Sequence, residues 1–465
     1  MRWALLMAGI CAAALNGLPA RADEVCQAGI NKLRYEDDIA CFRDPTNRES
    51  PLDALKFVPF DEIGEVYLSL GGELRQRYEY THDPSFGEDP QDEAGVWLQR
   101  YVLHGDLQLG PHLRVFGELF SALEAGRKHG PSPVDENELE VQNAFIDLSF
   151  SPTHQSGLTL RTGRQELQYG SGRLVDVREG PNVRRAFDAA RVIFELTDWR
   201  VDGLAARPRA TNPGVFDDDA NDDQALWGLY ATGGERMLPF GSLDLYYLGF
   251  QDDRGTFEQG TEKEKRHSVG FRLWGEEGNW DWNWEAIYQF GSFGDDDIRA
   301  WTIASETGYT WVEVGWRPRI ALSANIASGD GDPGDANLGT FNPLFPRGNY
   351  FSEAAALGPR NFFNVHPFLT VKPAQDWSVT TDVNFFWRLE TEDGLYSPSG
   401  RLIRGANGSD ERFVGSAVSL TSDYAITEHL TFTAIYTHFF AGDFIKATGP
   451  SDDIDFLEFT LQFKF

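Results

Sequence analysis

The residues best placed to do chemistry in this sequence are arginines set at alternate positions or opposite carboxylates. Arg75 and Arg77 share one face of an extended segment with Glu73 and Glu79. Arg100, Arg161, Arg191, Arg272, Arg317, Arg319 and Arg388 take the same polar-face position in other segments. Arg164 and Arg173 flank a glycine-rich stretch and are expected at or above a rim, where a loop could fold inwards. Guanidinium is always charged and grips a carboxylate with two parallel N–H groups. A file of such groups describes a path for an anion, and Glu73, Glu79, Glu195, Asp382 and Glu390 are the acidic neighbours that would keep binding weak enough for release. The same residues also fit cross-strand ion pairs that stiffen a sheet, and the sequence leaves both roles open.

Catalysis finds less support. His104, His112, His267, His366, His429 and His438 form no His-x-x-x-His pattern, and Gly170-Ser-Gly172 is one residue short of a nucleophile elbow. No catalytic group and no cofactor is expected. Asp330-Gly-Asp332-Pro-Gly-Asp335 superficially resembles a calcium loop but lacks the third alternate ligand and the closing Glu, so no metal is expected either. The acidic runs Asp217–Asp219, Asp222-Asp223 and Asp295–Asp297 read as solvated loops. The alternative for them is divalent-cation bridging to lipopolysaccharide phosphates.

The elements that must position these side chains repeat with period two. At the C-terminus Leu457, Phe459, Leu461, Phe463 and Phe465 alternate with Glu458, Thr460, Gln462 and Lys464. Trp280, Trp282, Trp284, Ala286 and Tyr288 alternate with polar residues, as do Ile320, Leu322, Ala324 and Ile326. Such segments fall near 66–82, 94–109, 112–125, 138–150, 157–166, 186–196, 199–207, 224–233, 240–251, 266–275, 279–291, 297–312, 317–328, 364–373, 377–391, 410–425, 429–443 and 453–465. That is about eighteen strands, an even count that suits an all-β, transmembrane antiparallel barrel. Phase changes in 138–150 and 184–207 point to bulges. Connections after odd-numbered strands are mostly long and those after even-numbered strands short, which places both termini in the periplasm. The segment 292–296 is the exception. Trp97, Trp227, Trp280, Trp282, Trp301, Trp311, Trp377 and Trp387 lie where interfacial girdles belong, with an aromatic sugar-stacking track inside the lumen as the alternative for some. A propeller or solenoid would show a fixed-period repeat, and none is present.

Residues 1–22 read as a secretory signal peptide: Arg2, an apolar run from Ala4 to Leu15, and the small-x-small site Ala20-Arg21-Ala22. Removing Arg2 and Arg21 with it takes the net charge from −31 down by two, to −33. A charge that negative argues against nucleic acid as a partner. Residues 23–64 lack alternation and read as a periplasmic N-terminal leader, with a plug entering the barrel as the sharper alternative; residues 65–465 are the barrel. Cys26 and Cys41 are expected to form a disulfide within the leader.

Two stretches resemble the alginate-export family of outer-membrane proteins. The first is Leu160-Arg-Thr-Gly-Arg-Gln-Glu-Leu-Gln-Tyr-Gly-Ser-Gly-Arg173, followed by Phe187-Asp-Ala-Ala-Arg191. The second is Ala327-Ser-Gly-Asp330 with Phe341-Asn-Pro-Leu-Phe-Pro-Arg-Gly-Asn-Tyr-Phe-Ser-Glu and Leu357-Gly-Pro-Arg-Asn361. The resemblance implies a monomeric eighteen-stranded barrel in the outer membrane of a Gram-negative bacterium, with a narrow, positively lined pore. It implies passive export of an anionic, uronate-type, alginate-like polysaccharide. An uptake porin for small organic acids or sugars is the first alternative, and an outer-membrane barrel hydrolase the second. Expected partners are outer-membrane lipids and lipopolysaccharide, the anionic polysaccharide or small anions, and periplasmic export proteins.

Overall fold

Backbone N–H and C=O groups find no water in a bilayer core, so strands can cross it only in a sheet without a free edge. The computed structural model, which describes residues 30–48, 50–92, 94–153, 156–234 and 237–465, meets that condition. Its barrel strands are β1 (Val66–His82), β2 (Val96–Leu109), β3 (Leu113–Ala125), β4 (Asn137–Thr153), β5 (Ser156–Gln165) and β6 (Phe187–Glu195). They continue with β7 (Trp199–Ala210), β8 (Gln224–Gly233), β9 (Ser242–Phe257), β10 (Gly260–Glu277), β11 (Trp280–Phe293) and β12 (Asp296–Thr310). The last six are β13 (Arg319–Ala327), β14 (Phe362–Ala374), β15 (Trp377–Trp387), β16 (Phe413–Ala425), β17 (Leu430–Ala441) and β18 (Ile454–Lys464). Each pairs antiparallel with the next, and β18 returns to β1 from Glu73↔Lys464 to His82↔Asp455, closing an eighteen-stranded barrel.

The period of two puts apolar side chains outside and polar ones inside. Leu74 on β1, Ile320 and Leu322 on β13, and Phe459 and Leu461 on β18 are exposed, whereas Glu73, Arg75 and Glu458 are buried in the lumen. Trp280, Trp311 and Trp377 mark one end of the outer surface, and Trp97, Trp227 and Trp387 the other, as two girdles require.

One connection and one expected bulge differ from the alternation pattern. β9 and β10 run on to a two-residue turn at Glu258-Gln259, so 252–265 is a paired hairpin rather than a long loop. Its charged side chains hide the period, yet the backbone ladder needs no apolar face. The expected bulges are half right: the β3–β4 register shifts at Glu118/Leu119 and again at Phe120/Ala122. The β6–β7 pairing is regular, and the phase change near 184 belongs to a loop that continues to residue 186. The signal-peptide residues and Cys26 lie outside the described residues; Cys41 is disulfide-bonded.

Ile303 sits midway along β12, pointing outwards between Ala286 and Ile326. Ile303→Arg should cost about 2–4 kcal/mol in urea unfolding from lipid vesicles. Thr421→Arg on the lumen face of β16 should cost under about 1 kcal/mol. Equal costs at the two positions would contradict this assignment of faces.

Candidate functional site

Two long loops turn back into the lumen. Loop 166–186 joins β5 to β6, and loop 328–361 joins β13 to β14. They run side by side: Phe345 N–H donates to Leu174 O at 2.9 Å, Asp176 N–H to Phe345 O at 2.9 Å, and Arg347 N–H to Gly172 O at 3.0 Å. The turn that folds the first loop inwards needs Gly170 and Gly172 in the left-handed region, at φ +54° and +74°. A Cβ on Gly172 would stand 2.5 Å from Asp176 Oδ2. Ser171 between them donates to Glu285 Oε2 at 2.9 Å. The elbow-like Gly-Ser-Gly is therefore a tie between loop and wall.

Lumen arginines hold the loops in place. Arg100 donates to Asn182 O at 2.9 Å, Pro181 O at 2.7 Å and Glu179 O at 3.1 Å, and pairs with Glu179 at 2.7 Å and Glu73 at 3.3 Å. Arg75 donates to Glu179 O at 3.2 Å and Asn182 Oδ1 at 3.1 Å. Arg77 reaches Gly180 O at 2.6 Å, Glu458 at 3.3 Å and Glu79 at 3.2 Å. Arg161 grips Asp147 through two bonds of 2.7 and 2.8 Å. Arg191 pairs with Asp202, Arg272 with Asp244 at 3.0 Å, and Arg319 with Asp281 and Glu306. Arg173, inside as its loop enters, meets Glu285 at 3.1 Å and Tyr350 Oη at 2.9 Å. These eight or so arginines are each answered by a carboxylate or by loop carbonyls, which favours the ion-pair role the sequence left open.

Several site residues lie elsewhere than expected. Arg164 falls on the outward face of β5, pairing with Asp188 at 3.0 Å, because its parity is opposite to that of Arg161. Arg317 is exposed in the turn 311–318, one strand end too early to face the lumen. β15 stops at Trp387, so Arg388 and Glu390 belong to the loop beyond it. There Arg388 is buried, donating to the carbonyls of Thr391, Asp393, Ser409 and Glu411. Glu195 ends β6 exposed at the short-turn mouth.

Open space survives along one wall. A cavity of ≈370 Å³ lies against β1 and β15–β18, between the wall and the two loops. The wall contributes Arg75, Arg77, Asp382, Ser419, Thr421, Asp423, Thr433, Ile435, Thr437, Glu458, Thr460 and Gln462. The loops add Glu179, Asn349, Phe351, Ser352 and Glu353. With two arginines against five acids, the cavity is hydroxyl-rich and mixed in charge rather than an unbroken arginine file. Asp382 accepts from or pairs with His366 Nε2 at 2.9 Å, and Thr437 donates to Ser419 Oγ at 3.0 Å. Burial raises the Glu353 carboxyl above the usual range, with the Arg77 guanidinium acting against it.

Other functional residues escaped the sequence reading. Arg114, Phe116, Glu118 and Phe120 face the lumen on β3, and Tyr169, Tyr230 and Tyr246 stack inside with centroids 5.0 Å apart. Composition gives a girdle as the default for aromatic residues and a stacking track in the lumen as the alternative, without saying which rings turn inwards; strand parity alone places Phe116 inside. Asn182 clamps the loop to the wall: its Nδ2 shares its two hydrogens among the carbonyls of Gln99, Leu123 and Asp135, and its Oδ1 accepts from Arg75. Glu140, Asp217 and Asp218 form an acidic trio, occupied by the Arg209 guanidinium 3.4 Å from Glu140 and 2.5 Å from Asp218.

Comparisons with known proteins agree with this architecture. The alginate export family matches residues 66–456. No curated relative matches. Among solved structures, OccD3 (OpdP) of Pseudomonas aeruginosa superposes with a TM-score of 0.57 at 12% identity, over 88% of this chain and 93% of that one. OccAB1 of Acinetobacter baumannii gives 0.56 at 12% identity over 89% and 99%. OccK11 (OpdR) of Pseudomonas aeruginosa gives 0.54 at 12% identity over 86% and 96%.

Asn182→Leu should free the tip of loop 166–186, which carries Arg178, Arg184 and Arg185. Limited trypsin treatment of the folded protein should then cut at those arginines, while the wild type resists. Equal resistance would mean that Asn182 does not clamp the loop.

Proposed function

We infer that this chain, which belongs to the alginate-export family, is a passive outer-membrane channel for acidic saccharides of the uronate type. The observation that carries the reading is the cavity along β1 and β15–β18, where Arg75 and Arg77 face a bank of hydroxyls and carboxylates. A uronate ring presents hydroxyls on most edges and one carboxylate. Threonine, serine and carboxylate side chains suit the hydroxyls as donors and acceptors. A guanidinium suits the carboxylate, and Phe351 offers an apolar face for the ring. Many weak contacts of this kind let a solute leave as readily as it enters.

On this reading the family points to outward passage of an alginate-like polymer, aided by periplasmic export proteins. Uptake of small organic acids or sugars is the second reading. It is favoured by the mixed charge of the lining and by the space the two loops remove from the lumen. In either case the barrel works as a monomer, with lipid and lipopolysaccharide around its outer face.

The test is reversal potential in a planar bilayer under a KCl gradient, followed by addition of oligouronate or a neutral oligosaccharide of equal length. Oligouronate should block reversibly at roughly tenfold lower concentration, equivalent to about 1.4 kcal/mol, and Arg77→Gln should erase most of the difference. Equal block by the neutral oligomer would overturn the acidic-saccharide assignment. Passage of small carboxylates without block by any oligomer would select the uptake reading.

A further inference from the structure

Part of the leader lies inside the barrel. Leu33, Arg34 and Tyr35 are buried at the short-turn mouth. Tyr35 sits in a cage built by the lumen wall. Its ring meets Phe116 edge-on at 5.9 Å and Phe145 at 5.2 Å, and the Arg161 guanidinium lies 4.5 Å from its centroid. Its hydroxyl donates to Glu166 O at 2.6 Å, and its carbonyl accepts from Arg114 Nη2 at 2.6 Å. Arg34 fastens the next residue to the closing seam, donating to Gly72 O at 3.1 Å and Phe465 O at 2.8 Å.

The leader also reaches the loop that narrows the lumen from the opposite end. Lys32 Nζ stands 2.7 Å from Asp176, and Arg184 Nη2 donates back to Lys32 O at 2.6 Å. Leu33 packs with Val177 in the same small cluster as Tyr35, Phe116 and Phe145. Glu166, Asp176, Val177 and Arg184 all belong to loop 166–186.

We propose that the leader is a tethered plug, with Tyr35 as its stopper and the Lys32–Asp176 pair as its latch to loop 166–186. The contacts suit a reversible seal, because apart from the small Leu33–Val177 contact they are ion pairs, hydrogen bonds and ring contacts that water or solute can replace. The tether is anchored: Val58 and Pro59 pair with Leu68 and Tyr67 on β1, so the stopper stays attached to the mouth that holds its cage. Holding it there gives an effective local concentration on the order of millimolar, enough for a modest interaction to keep the plug seated most of the time. Burial, with the charge of Arg34 nearby, brings the Lys56 ammonium down to about 8. Lys56 and Arg34 are both buried at this mouth. The proposal rests on the channel reading above.

Single-channel recording of the full chain in planar bilayers tests it. Wild type should show a low, flickering conductance. Tyr35→Ala and Lys32→Asp should each raise mean conductance several-fold, and the swap Lys32→Asp with Asp176→Lys should return it towards wild type. Recovery in the double variant also shows that the single variants fold and insert. Wild-type conductance in both single variants would overturn the plug. Silence from wild type and every variant would instead overturn the channel reading on which it rests.

Discussion

A guanidinium that faces the inside of a membrane barrel must find acceptors. Leaving a buried donor unpaired costs about 1–3 kcal/mol, and more when it is charged. Most of what fills this lumen follows from that requirement. Arg100 collects three carbonyls and two carboxylates, and Arg75 and Arg77 draw on the same short run from Glu179 to Asn182. The loop backbone is as much a counterpart to these side chains as any acid on the wall. The barrel and its constriction therefore fold as one network, in which removing an arginine or a loop contact leaves partners stranded.

The same requirement explains where space remains. The lumen faces of β16 and β17 carry Ser419, Thr421, Asp423, Thr433, Ile435 and Thr437 and no arginine. Hydroxyls there satisfy one another or a neighbouring carboxylate, as Thr433 does with Asp423 at 2.7 Å. Such a wall has little need of loop carbonyls, and the cavity lies against it. Charge distribution along the strands thus decides which side of the lumen is packed and which stays open.

The strands were legible in the sequence because a lipid-facing wall forces an apolar residue at every second position. β1, β13 and β18 appear almost residue for residue. Where that force is absent, the reading loses its signal. The hairpin around Glu258-Gln259 is built from charged residues above the apolar band, and its pairing depends on backbone alone. Arg317 and Arg388 sit just past strand ends, where one or two residues decide between lumen and loop. The leader's Tyr35 and the clamp Asn182 are single residues whose partners lie far along the chain, 131 positions for Tyr35 and Glu166 and 107 for Asn182 and Arg75, and no local period encodes such contacts. The sequence points to an inward-folding loop around Arg173, but not to Gly170 and Gly172 as the residues that make its turn.

The most direct test of this account is which lumen wall is wet. Single cysteines at Thr421 or Thr433, on the open wall, and at Ser268 or Tyr230, behind the loops, can be challenged in vesicles with a water-soluble thiol reagent. Labelling is read relative to the wild type. The account predicts fast labelling at Thr421→Cys and Thr433→Cys and slow labelling at Ser268→Cys and Tyr230→Cys. Equal rates on both walls, or the reverse order, would contradict a lumen packed on one side and open along β1 and β15–β18.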